Sequence, residues 1–144
     1  MTATLTAYPT PASARSGSRA PARPVFRTGL VAGLVASAAT TAVGGIAHAA
    51  GISFDLSGKA IPLAGFAQLT FVATMIGTLL AAVFARRATR PRYTFVVTTL
   101  ALTALSIVPD VLADAQVSTR LALALTHIVA AAIVIPALAS RLSD

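Results

Sequence analysis

The sequence predicts an all-α integral membrane protein, a four-helix bundle with both termini inside, and three observations carry that prediction. Of 144 residues, 56% are hydrophobic and only 10% are charged, where a soluble domain carries about 25% charged residues. The charges are also segregated: Gly29 to Ser53, Ala60 to Ala85, Tyr93 to Pro109 and Leu121 to Ser140 contain no Asp, Glu, Lys or Arg. Finally, the basic residues gather on alternate connections. A soluble fold cannot clothe four such stretches in polar groups, whereas a bilayer core about 30 Å thick asks for about 20 apolar residues rising 1.5 Å each.

The organisation that follows is a basic tail over residues 1–25 and a membrane domain over 26–140. The tail is rich in Ala, Ser, Thr and Pro and has little to bury, so disorder is its expected state. Arg15, Arg19, Arg23 and Arg27 make it resemble an organellar transit peptide, but they equally suit an anchor beside anionic lipid, worth about 1 kcal/mol per charge. The anchor is the favoured reading. Helix 1 is expected over 28–50. Ala47-His48-Ala49 resembles a signal-peptide cleavage site, yet the apolar run exceeds the usual h-region of about 7–15 residues, so a retained helix is expected.

Helix 2 is expected over 61–85, with Pro62 tolerated in the first turn, where its missing N–H would have no partner anyway, and Arg86 and Arg87 beyond its end. Helix 3 follows Pro91 and covers 93–112, Tyr93 standing at an interface as aromatics do. Helix 4 covers 120–138, with Ser118 or Thr119 as a possible N-cap. Short loops rich in Lys and Arg stay cytoplasmic. The tail has four, the connection between helices 2 and 3 has four (Arg86, Arg87, Arg90, Arg92) and the C-terminus has Arg141, against Lys59 and Arg120 elsewhere. Nine against two puts both ends in the cytoplasm and the protein in the plasma membrane.

Helix 1 places Gly29, Gly33, Ser37, Thr41 and Gly45 at intervals of four, a small-residue face of the kind that lets membrane helices approach closely. Helix 2 repeats the pattern less clearly with Gly65, Ala73, Gly77, Ala81 and Ala85. The partner of the helix 1 face could be helix 2, helix 4 or a second copy of the chain. The polar residues within the spans are few. Gln68, Ser106 and His127 fall about 10 Å below the outer boundary at 1.5 Å per residue. Asp110 lies one turn above Ser106 on the same face. Helices 3 and 4 share a short connection and must be antiparallel neighbours, so Asp110 and His127 can meet. Intramembrane polar groups are costly and seek partners, which makes Gln68, Ser106, Asp110 and His127 the candidate polar cluster.

Several chemistries are disfavoured or excluded. There are no cysteines, which removes disulfides, thiolate catalysis and cysteine-held metals. Two histidines on different helices are thin material for a metal site. The net charge of +7 is used as a topology signal, and no nucleic-acid-binding motif accompanies it. No phosphate-binding loop, dinucleotide fingerprint or hydrolase motif occurs. Ser106, His127 and Asp110 can be assembled into a triad on paper, but Ser106 and Asp110 share one helix face and no oxyanion hole is evident.

The run Leu105-Ser106-Ile107-Val108-Pro109-Asp110, then Thr126-His127 in an apolar helix that ends in Ile135-Pro136, resembles a family of small four-helix membrane proteins of unknown function. That family is found mainly in high-GC Gram-positive bacteria. The resemblance covers about residue 25 to the end and implies the four-helix count, but supplies no activity. The expectation is therefore a non-enzymatic membrane protein without cofactor or metal, a structural or accessory subunit. Its small-residue faces would pack on a second copy or another membrane protein, with the lipid bilayer as its surroundings. The alternative is a minimal transporter or proton-linked sensor with its site in the outer half.

Overall fold

The computed structural model describes residues 22–56, 59–60 and 62–144, with side chains described over 24–54 and 62–144. The tail expected over 1–25 falls outside these residues except at its end, where the first helix has already begun. Four helices form: α1 (Ala22–Ala49), α2 (Leu63–Arg87), α3 (Pro91–Leu112) and α4 (Val117–Ala139). All four are long and apolar enough to cross a membrane. Between α1 and α2 a two-residue antiparallel ladder, β1 (Asp55–Leu56) and β2 (Lys59–Ala60), pairs Asp55 with Ala60 and Leu56 with Lys59. It is a minor addition to the all-α architecture.

The helix ends follow local chemistry, and the starts of α1 and α4 differ most from expectation. α1 starts six residues before Thr28, since Pro24 falls in a first turn whose N–H groups have no intrahelical partner. It stops at Gly51, whose φ of +88° is open to glycine at little cost. The Gly51 N–H donates to the His48 carbonyl and the Ile52 N–H to the Ala47 carbonyl, each at 3.0 Å, which is the paired bonding of a Schellman ending. α4 starts at Val117, so Ser118 and Thr119 lie inside it, and Gln116 occupies the N-cap without a side-chain bond. α3 begins with Pro91 at its first position, and Arg90 gives it no side-chain cap. The C-terminal residue does so instead: the backbone N–H groups of Arg92 and Tyr93 donate to Asp144 Oδ1 at 2.9 and 3.2 Å. A carboxylate there also meets the positive end of the α3 dipole. The packed unit therefore continues past residue 140 to the last residue.

α1 packs most closely on α2 and next on α4, α3 packs on α4, and the α2–α3 seam is looser. Apolar cores close the two ends of the bundle. The one where α1 starts and α4 ends joins Val25, Ala81, Phe95, Leu138, Ala139 and Leu142. The one at the opposite end joins Phe54, Phe66, Ala122 and Leu123, with the Phe54 and Phe66 rings edge-to-face at 5.1 Å. Between them the burial pattern is inverted relative to a soluble protein. Ser37, Thr40, Thr74, Thr78 and Thr126 are buried, while Leu34, Ile46, Leu69, Leu105 and Leu121 are exposed. Small and hydroxylated residues inside, large aliphatics outside, is the arrangement a hydrocarbon solvent favours.

The small-residue face of α1 meets α2. A Cβ on Gly29 would overlap the Thr78 side chain, and one on Gly33 would come within 3.2 Å of Phe71. Ser37 Oγ donates to the Ala67 carbonyl at 3.0 Å. Beyond Ser37 the contact steps to Thr40, 3.0 Å from the Thr70 hydroxyl, and to Gly44, whose added Cβ would reach Phe66. Gly45 drops out of the face, with nothing within 4 Å of a Cβ placed on it, while the Thr41 hydroxyl is buried without a hydrogen-bond partner among the described residues. The reason is geometric: each four-residue step advances about 40° beyond a full turn, so a strict interval of four drifts around the helix and one step of three restores it.

Candidate functional site

The looser α2–α3 seam opens into a cavity of about 650 Å³ lined by α2, α3 and α4. Phe95 lines its end nearer the α2–α3 connection, and Phe66 and Leu123 the opposite end. Leu69, Val72, Ile76 and Leu102 line the cavity and are also exposed, so its mouth faces sideways, where hydrocarbon surrounds a membrane helix.

One stripe of α3 supplies half of the polar lining residues. Thr99, Thr103, Ser106 and Asp110 all reach the cavity, at steps of four, three and four that follow the 3.6-residue turn. Each hydroxyl donates back to its own helix: Thr99 to the Phe95 carbonyl at 2.7 Å, Thr103 to Thr99 at 2.8 Å and Ser106 to Thr103 at 2.7 Å. α2 does the same with Thr74 to the Thr70 carbonyl at 2.8 Å, and α4 with Thr126 to the Leu123 carbonyl at 2.7 Å. Hydroxyls whose protons are committed in this way offer only lone pairs to the space beside them.

At the Asp110 end of the stripe, His127 Nδ1 lies 3.1 Å from Asp110 Oδ2 and 3.1 Å from the Leu123 carbonyl oxygen. Both neighbours are acceptors, so Nδ1 carries the proton and Nε2 is left for another partner. The two contacts are not equivalent. The Leu123 carbonyl is placed to accept a hydrogen bond, whereas Oδ2 of Asp110 touches the imidazole yet is buried without a hydrogen-bond donor. The Asp110 side chain is only 16% exposed against 36% for His127, and both residues line the cavity.

The four residues expected to cluster do not all meet. Ser106, Asp110 and His127 line the same cavity. Gln68 does not: it is exposed on α2, two positions and about 200° around the helix from cavity-lining Thr70. The inward side of α2 carries Thr70 and Thr78 against α1 and Leu69, Ala73 and Gly77 along the cavity, whose wall Thr70 and Thr74 also join. His48 and Asp114 are exposed at the ends of α1 and α3. Sequence reasoning passed over Thr99 and Thr103, although their spacing to Ser106 and Asp110 was the available signal. Among the described residues no group of three His, Cys, Asp or Glu side chains gathers to hold a metal.

Comparison with other proteins adds kinship without an activity. No curated protein and no solved structure matches the chain. A family described as a family of unknown function (DUF6069) matches residues 20–144, and the chain belongs to that family.

Proposed function

We propose that this chain is a non-enzymatic multi-pass protein of a bacterial cell membrane, with both termini cytoplasmic, that binds a small ligand in the cavity between α2, α3 and α4, as a minimal transporter or sensor. One observation carries the reading: a half-buried carboxylate beside an imidazole, Asp110 and His127 at 3.1 Å, at one end of a cavity of about 650 Å³. Binding cavities for small molecules span about 300–1,000 Å³, mostly apolar with a few convergent polar groups, and ionisable residues inside a membrane mark functional sites by default.

The accessory-subunit reading has less support, because Gly29, Gly33 and Ser37 are turned toward α2 of the same chain. It keeps Gly45, whose side of α1 is open. The non-enzymatic reading is supported by Ser106, which directs its proton to the Thr103 carbonyl rather than to the imidazole. The orientation is supported by Arg86, Arg87, Arg90, Arg92 and Arg141, which fall at the end of the bundle where α1 starts and α4 ends.

Reporter fusions after residues 57, 89, 116 and 144 test the orientation, and an outside signal at 89 overturns it. For the site, native mass spectrometry of gently solubilised wild type is expected to show a bound small molecule that Gly77→Leu, which fills the cavity, loses. Identical spectra for the two proteins would remove the cavity as a ligand site.

A further inference from the structure

We propose that the ligand of this cavity is a lipophilic cation, whose apolar body lies among the aliphatic side chains of α2 and α4 and whose positive group sits against Asp110. The inference rests on the cavity being a ligand site and goes on to name the chemistry of what it takes.

The case is a donor and acceptor census. The hydroxyls of Thr74, Thr99, Thr103, Ser106 and Thr126 all donate to carbonyls of their own helices. Toward the cavity they present oxygen lone pairs. Asp110 adds a carboxylate to the cavity wall; its Oδ2 is covered against the imidazole, and the exposed remainder of the group is what a ligand meets. A carboxylate with little water around it gains from a positive donor brought beside it. On the other side of the account stands His127, whose Nδ1–H is directed to the Leu123 carbonyl, leaving only Nε2. A site with many acceptors and one carboxylate suits a positive donor and repels an anion.

The remaining walls select the body of the ligand. Leu69, Val72, Ile76, Leu80, Ala130 and Val134 are apolar, and burying apolar surface against them is favourable wherever the ligand arrives from water. The exposed lining residues at the mouth admit a ligand that partitions into the bilayer first. Two other occupants fit less well. A lipid acyl chain would leave the exposed part of the Asp110 carboxylate facing hydrocarbon, which is costly. A helix of a second copy is about 10–12 Å across with its side chains, and could cover the mouth but not reach Asp110 within the cavity.

The test uses two probes of closely similar shape and opposite charge, tetraphenylphosphonium and tetraphenylborate, titrated into the full chain in lipid nanodiscs and read by calorimetry. Empty nanodiscs supply the background partitioning of each probe. Wild type is expected to bind the phosphonium saturably and the borate no better than empty discs do. Asp110→Asn keeps the side-chain shape and removes the charge, and is expected to weaken the phosphonium about tenfold or more, the equivalent of about 1.4 kcal/mol. Gly77→Leu projects into open space that lines the cavity and is expected to abolish binding. Gly45→Leu, which also meets nothing within 4 Å but lies off the cavity, is expected to bind as wild type does. Thermal unfolding of each variant establishes that it is folded before titration, and Asp110→Glu, which restores the charge, is expected to recover binding where Asp110→Asn has lost it.

Equal affinity of wild type and Asp110→Asn, with loss only in Gly77→Leu, overturns the cation and leaves the cavity as a ligand site. Preference for the borate overturns the cation in the same way. Binding that Gly77→Leu does not touch overturns the inference and counts against the cavity as well.

Discussion

The two sides of α2 meet their neighbours in opposite ways. Toward α1 the fit is close: Gly29 leaves room that Thr78 occupies, Gly33 receives Phe71 and Met75, and Ser37 and Thr40 reach across to the Ala67 carbonyl and the Thr70 hydroxyl. Toward α3 the same kinds of residue, Ala73 and Gly77 on one helix and Thr99 and Thr103 on the other, line open space. Gly29 and Gly77 are both helical glycines, yet an added Cβ would collide at the first and meet nothing at the second. Small residues are therefore not themselves an adhesive. In a membrane, where helices have no water to escape from, they hold a neighbour only if its side chains fill the space they leave.

The sharpest way to break this contrast is to enlarge the glycine on the close side. Gly29→Leu forces a side chain into the volume of Thr78, and overpacking of a fitted interface costs about 1–3 kcal/mol, here at or beyond the upper end because the overlap begins at Cβ. Unfolding in mixed micelles of rising denaturing-detergent fraction measures it, and a variant as stable as wild type would mean that α1 and α2 are not in this register. The next largest effect belongs to the open side. Asp110→Asn and His127→Ala, combined in a double-mutant cycle, are expected to couple by up to about 1.7 kcal/mol, the top of the range for interhelical pairs in membranes. The unaligned contact at Oδ2 argues against anything larger, and a coupling of zero would separate the two residues.

The contrast also marks what was readable in the sequence. The four spans were, because an apolar stretch of 20 or more residues has few other solutions, although their ends moved by two to six residues where Pro24 and Gln116 admitted another turn. The proximity of Asp110 to His127 was readable from the short connection between α3 and α4. The interface of α1 was readable as far as Ser37 and no further, since a repeat of four drifts around the helix while the contact stays on one side, passing to Thr40 and Gly44. Gln68 was misplaced because depth in the membrane follows from position along a helix, whereas direction depends on how that helix is rotated in the bundle. The cavity was not readable at all. It depends on the separation between α2 and α3, which is a property of the assembled bundle and not of either stripe.

Gly77→Ala tests the open side from the other direction. No neighbour lies within 4 Å of the added methyl, so the usual preference for Ala over Gly inside a helix, about 0.8–1.0 kcal/mol, should appear as a gain in the same unfolding assay. A loss would mean that α3 stands closer to α2 than the cavity allows.

The smallest effect asks whether the close side is held by shape or by hydrogen bonds. Thr40 donates to the Ser37 carbonyl at 3.2 Å, so the proton in its 3.0 Å contact with Thr70 comes from Thr70. Thr→Val keeps the branched shape and removes the hydroxyl, so Thr40→Val and Thr70→Val in a cycle isolate that one bond. Interhelical bonds in membranes average about 0.6 kcal/mol in such cycles, because an unpaired hydroxyl on a separated helix still bonds to its own backbone. Thr70 has that retreat open to it, as Thr74 and Thr78 show by donating to carbonyls one turn back. A coupling near 0.6 kcal/mol, beside a much larger loss for Gly29→Leu, would assign the closeness of α1 and α2 mainly to steric fit. A coupling as large as the Gly29→Leu loss would reverse that order, and the threonines rather than the glycines would distinguish the closed side of α2 from the open one.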